Sequence, residues 1–103
     1  MIVKEELDLK IDQVKDLLRK NRFLEAKEIC LNIHNSSKEN YEAISLLAVI
    51  ELNLKNFETS LNYFEKAIKI NVNDPKIYNN LGILYYKTGK NENAIECFNK
   101  AHS

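Results

Sequence analysis

The chain has 103 residues, fifteen basic and fifteen acidic side chains, and is 45% hydrophobic. That length buries one small fold and excludes multidomain enzymes, while two Gly, one Pro and two Cys exclude collagen-like, low-complexity and disulfide-stapled classes. A net charge of zero leaves no basic surplus for phosphates, so nucleic-acid binding is set aside.

Met1 to Lys10 interleaves charges with apolar residues and lacks the apolar stretch of a signal peptide. No apolar run is long enough for a membrane span: the most apolar window, Ala43 to Leu54, is interrupted by Ser45, Glu51 and Asn53. Cys30 and Cys97 lie far apart and outside any C-x-x-C pair, as suits a reducing compartment, and a cytoplasmic location is expected.

Helical spacing of apolar residues predicts six helices, over 5–20, 23–34, 39–54, 57–70, 75–88 and 91–102. The first and second are separated by Lys20-Asn21-Arg22, the third and fourth by Lys55-Asn56, the fifth and sixth by Thr88-Gly89-Lys90. Asn21 and Gly89 suit a left-handed helix terminus, and the lysines face the helix dipole. Asn35-Ser36-Ser37 ends the second helix; Asp74 is the expected N-cap of the fifth, with Pro75 as its first residue.

The six helices pair into repeats. Phe57-x-x-Ser60-Leu61-x-x-Phe64-x-x-Ala67 aligns with Asn91-x-x-Ala94-Ile95-x-x-Phe98-x-x-Ala101 at an offset of 34, and backwards with Phe23-x-x-Ala26-x-x-x-Cys30-x-x-Ile33. Small residues occupy one column (Ala26, Ser60, Ala94) and bulky or sulfur-bearing ones another (Cys30, Phe64, Phe98). Three helical hairpins follow, at about 7–40, 41–74 and 75–103, forming one domain over 1–103.

Tyr78-x-x-Leu81-Gly82-x-x-Tyr85 followed by Ala94-x-x-x-Phe98 resembles the tetratricopeptide repeat, a 34-residue helical hairpin. The likeness is strong in the third unit, good in the second (Leu47, Ala48, Phe57, Ser60, Phe64, Ala67) and degenerate in the first, where Gln13 and Val14 replace Leu-Gly. The repeat's proline is absent; Val72 holds that column in the second unit. The resemblance implies an all-α, right-handed solenoid of three hairpins whose first helices line a concave groove for a peptide or partner helix. Groove positions are then Ile11, Lys15, Leu18, Ser45, Val49, Leu52, Lys76, Asn79, Ile83 and Tyr86, a mostly apolar set. The family's carboxylate clamp for chaperone C-termini is not expected. Its columns read Ile11, Lys15, Leu46, Lys76 and Asn80, of which Lys76 alone fits.

The expected function is therefore a non-catalytic scaffold for an apolar or amphipathic protein segment. The alternative is an assembly module, either the N-terminal part of a larger enzyme or a self-associating unit. Arrays of this kind often finish with a capping helix, and none follows the third hairpin here. Either the array is part of a longer one, or the flank around Ile95, Phe98 and His102 pairs with another copy in a homodimer. Catalytic, cofactor and metal roles are not expected. Cys30 and Cys97 fall in apolar stripes, His34 and His102 near the ends of second helices, and the pairs Asp8/Asp12 and Glu92/Glu96 on solvated faces.

Overall fold

The computed structural model describes residues 3–103. Its helices are α1 (Lys4–Arg19), α2 (Phe23–Ser36), α3 (Tyr41–Asn53), α4 (Phe57–Ile70), α5 (Pro75–Lys87) and α6 (Asn91–Ala101). Consecutive pairs form three hairpins stacked along a body of 41 × 25 × 20 Å. Every end falls within about two residues of expectation. The start of α3 moves from 39 to Tyr41 because the Asn40 side chain accepts a hydrogen bond from the Ala43 amide at 2.9 Å and caps the helix. Asp74 caps α5 through the Lys76 amide at 3.0 Å, with Pro75 as first helical residue.

One turn closes all three hairpins. Asn21, Lys55 and Gly89, equally spaced in the chain, have φ of 58°, 66° and 80°. The next amide in each case reaches back across the helix end: Arg22 to the Leu17 carbonyl at 2.9 Å, Asn56 to Glu51 at 2.9 Å and Lys90 to Tyr85 at 2.8 Å. This is a Schellman closure, which satisfies carbonyls that the helix leaves free. Asn tolerates the left-handed backbone and Gly is at ease in it; Lys55 holds it at a cost.

The buried residues form two clusters, one at each junction between hairpins. The first joins Ile11, Val14, Ala26, Cys30 and Ile33 to Ala43, Leu47 and Ile50. The second joins Ile44, Ala48, Leu52, Phe64 and Ala67 to Ile77, Leu81, Leu84 and Cys97. Helix α3 contributes to both, Ala43, Leu47 and Ile50 to one and Ile44, Ala48 and Leu52 to the other, so apolar residues surround most of its circumference. Within the third hairpin the helices nearly touch: a Cβ on Gly82 would lie 2.6 Å from Cε1 of Phe98.

Polar groups inside these junctions are mostly paired. Ser60 Oγ donates to the Ala48 carbonyl at 2.7 Å and Cys30 Sγ to the Ala43 carbonyl at 3.3 Å. Glu51, 3% exposed, meets Lys27 at 3.1 Å and accepts from Asn56 Nδ2 at 2.9 Å, so its charge is matched where water cannot reach it. Burial pushes the Cys30 thiol up to about 12, which leaves it an inert packing group, and Cys97 is raised by the same cause. His34 is the exception. Its ring stands edge-on to Tyr63 at 6.0 Å, and its buried Nδ1 has no partner among the described residues.

Replacing Lys55 by Gly removes the left-handed penalty of about 1–2 kcal/mol, less about 0.5–1 kcal/mol of extra chain entropy. Lys55→Gly is therefore expected to raise stability by roughly 1 kcal/mol, read as a higher midpoint in thermal or urea unfolding. His34 titrates below its ordinary value through burial first, then repulsion from Lys66 and Lys38, against an opposing pull from Glu39. The unfolded chain thus binds this proton more readily than the folded one. The stability associated with neutral His34 is complete above about pH 6.5 and declines as pH falls through the lowered folded value. His34→Phe keeps the edge-on ring and removes the proton, so unfolding midpoints measured between about pH 7 and pH 5 should fall less steeply than in the parent.

Candidate functional site

Helices α1, α3 and α5 lie side by side, because each first helix packs on the hairpin before it. Between them opens a cavity of about 190 Å³, lined by Lys15 of α1, by Tyr41, Glu42, Ser45, Leu46 and Val49 of α3, and by Asp74, Lys76, Ile77 and Asn80 at α5. Leu46 and Val49 supply its apolar surface, with Ile77, 2% exposed, buried behind them in the second junction.

The charges are arranged across the helices. Lys15 Nζ reaches Glu42 Oε2 at 3.1 Å, joining α1 to α3; both side chains are about half exposed, so the pair is worth at most about 1 kcal/mol. Tyr41 Oη donates to Asp74 Oδ2 at 2.8 Å, joining the start of α3 to the cap of α5. Burial, reinforced by this bond, raises the Tyr41 hydroxyl well above its ordinary value, so it stays a donor. Ser45 Oγ is engaged within its own helix, at the Tyr41 carbonyl. Lys76 is exposed and forms no ion pair among the described residues. It is the cation in this groove with capacity for a ligand.

Four of the expected groove residues line the cavity: Lys15, Ser45, Val49 and Lys76. Asn79 is exposed elsewhere on α5, while Leu18 and Ile83 are half-buried against the first and second clusters. Ile11 and Leu52 require correction. They are 5% and 6% exposed and belong to the junctions between hairpins, which leaves no surface for a ligand. The groove is also more polar than expected, because those junctions absorb the apolar residues. Six lining residues escaped the sequence reading as groove positions: Tyr41, Glu42, Leu46, Asp74, Ile77 and Asn80. The signal was present for three of them, since Glu42 shares a repeat column with Lys76, and Leu46 and Asn80 hold columns of the family's ligand clamp.

Tyr86, the remaining expected groove residue, is 69% exposed and lies in the repeat column of Leu18 and Leu52, which face the next hairpin. On α6, Ile95 is 59% exposed, Phe98 is half-buried and His102 is exposed. Among the described residues no group of His, Cys, Asp and Glu is placed to hold a metal ion, and no helix is long and apolar enough to cross a membrane.

Comparison with known proteins places this geometry in a family. Residues 41–74 and 75–103 each match a family model described as tetratricopeptide repeat. The chain is 33% identical over 86 residues to Superkiller protein 3 of Schizosaccharomyces pombe, which covers 84% of this chain and 5% of that protein. It is 33% identical over 72 residues to the UDP-N-acetylglucosamine--peptide N-acetylglucosaminyltransferase of Caenorhabditis elegans, covering 70% of this chain and 6% of that protein. The chain thus spans a small fraction of the length of these curated relatives. Among solved structures, the type III secretion translocator chaperone SycD of Yersinia enterocolitica superposes with a TM-score of 0.88 over 97% of this chain and 75% of its own, at 8% identity. At that identity the likeness is one of fold.

Proposed function

Since the chain belongs to the tetratricopeptide repeat family, we propose that it is a non-catalytic protein-interaction scaffold that takes an amphipathic segment of a partner protein in the groove formed by α1, α3 and α5. The observation that carries this reading is the cavity itself. Its apolar surface at Leu46 and Val49 is bordered by a spent ion pair, Lys15–Glu42, and an available cation, Lys76. A fitting segment sets apolar side chains on the first and a carboxylate near the second, while leaving the Lys15–Glu42 pair intact. The fit differs from a chaperone-tail clamp, which needs several convergent cations where this groove offers one.

Immobilised protein incubated with extract of the source cell, followed by mass spectrometry, tests the reading. A specific partner should bind the parent chain and bind Val49→Glu/Lys76→Glu at least tenfold more weakly, the scale of losing a central anchor. Circular dichroism should show that variant to be helical with a cooperative melt. Undiminished capture by the folded variant would remove the groove from the function.

A further inference from the structure

The two junctions between hairpins also open on the edge of the array where the hairpin turns lie. There the end of α3 meets the start of α2, the end of α5 meets the start of α4, and each meeting leaves an apolar notch. The first, about 320 Å³, is lined by Phe23 and Leu24 of α2 and by Leu54, the residue that ends α3, with Arg22 and Glu25 at its rim. The second, about 230 Å³, is lined by Phe57 and Leu61 of α4 and Tyr85 of α5, with Glu58 and Lys90 at its rim. Neither opening is made by an end of the chain. Each notch lies between two hairpins, and α1 starts and α6 stops at the opposite edge, a helix length from the turns.

Two residues on this edge depart from their repeat columns at no gain to the fold. Leu24 is 72% exposed where the other repeats place Glu58 and Glu92, acids that suit a helix start. Lys55 holds a φ of 66° in the column of Asn21 and Gly89, a backbone that a lysine adopts at a cost. Its ammonium forms no ion pair among the described residues, whereas Arg22 is spent on Glu25 at 2.7 Å and Lys20 on Asp16 at 3.0 Å. Glu58 and Lys90 share the second notch and offset each other. Lys55 is therefore the uncompensated charge, and it stands between the notches: Leu54 before it lines the first, and Phe57 two residues later lines the second. Backbone strain of this kind collects where a chain binds something.

We infer that the turn edge is a second interaction surface, apart from the concave groove, and that its occupant is an extended segment of another protein with an acidic residue between two apolar ones. One apolar side chain enters the notch beside Leu24, the other the notch beside Phe57, and the carboxylate meets Lys55. Helices packed side by side lie about 8–10 Å apart, a span of about three residues of extended chain, which sets the spacing of the two apolar anchors. A second copy of this chain does not supply such a segment. Its exposed apolar stretch at the end of α4, Ile70-Asn71-Val72, holds no acid.

Random twelve-residue peptides displayed on phage and selected on the full chain are the probe. Peptides with an acidic residue between two apolar ones should be enriched, and a fluorescent synthetic copy should bind one site with an affinity that falls as salt is raised. Two substitutions give the edge the letters its columns hold elsewhere and so spare the fold, which a thermal melt verifies. Lys55→Gly should weaken binding about threefold, the scale of an exposed ion pair, while its unfolding midpoint rises. Leu24→Glu should weaken it about tenfold, by loss of an apolar wall and repulsion of the ligand's acid. Lys55→Arg should retain binding, and Val49→Glu/Lys76→Glu should leave it unchanged. Selection that enriches no such peptide overturns the inference, as does binding indifferent to either edge substitution. Loss of binding in Val49→Glu/Lys76→Glu overturns it by returning the peptides to the groove. Concentration-dependent dimerisation by light scattering, abolished by Leu24→Glu, overturns it by making a second copy the occupant.

Discussion

The structure depends on how closely the two helices of each hairpin cross. At that crossing one residue of the first helix faces one of the second, and the pair must share a fixed volume. The three hairpins divide it differently: Gly82 with Phe98, Ala48 with Phe64, Val14 with Cys30. The first residue is small against Phe in the third and second hairpins, and in the first hairpin, where Val14 takes that place, its partner shrinks to Cys30. Gly82 has no room for a methyl group, with the Phe98 ring 2.6 Å from where a Cβ would be. Val14 and Cys30, both fully buried, have exchanged the roles. The first repeat therefore departs from the family pattern in its letters while keeping the constraint those letters serve.

From this crossing the rest is nearest-neighbour packing. Each hairpin leaves one apolar flank, the next hairpin's first helix covers it, and the two buried clusters are two copies of one interface. The middle helix α3 carries both interfaces at once. Polar groups caught in the junctions are handled locally, Glu51 by Lys27 and Asn56, Ser60 by a backbone carbonyl. Among the described residues His34 is left with a buried nitrogen unmatched.

Most of the fold was legible because its determinants repeat. The N-cap at Asp74 and the left-handed residues Asn21 and Gly89 are local signals and were placed from sequence, whereas their equivalents at the repeat spacing, the Asn40 cap and the left-handed Lys55, were not. The site was less legible for a definite reason. A repeat column fixes which residues are equivalent, but not which way a first helix is rotated between groove and neighbour. Ile11 and Leu52 share a helix with true groove residues, yet the rotation turns them into the junctions. The Tyr41–Asp74 bond has no counterpart in the other repeats, so no periodicity announces it.

The division of apolar residues between junction and groove bears on how the scaffold recognises its ligands. Because the junctions consume Ile44, Leu47, Ala48, Ile50 and Leu52 from α3, that helix has only Leu46 and Val49 left as apolar surface for the concave face. In the proposed mode of binding, discrimination comes from the polar border, where a misplaced partner charge meets Lys76 or disrupts Lys15–Glu42.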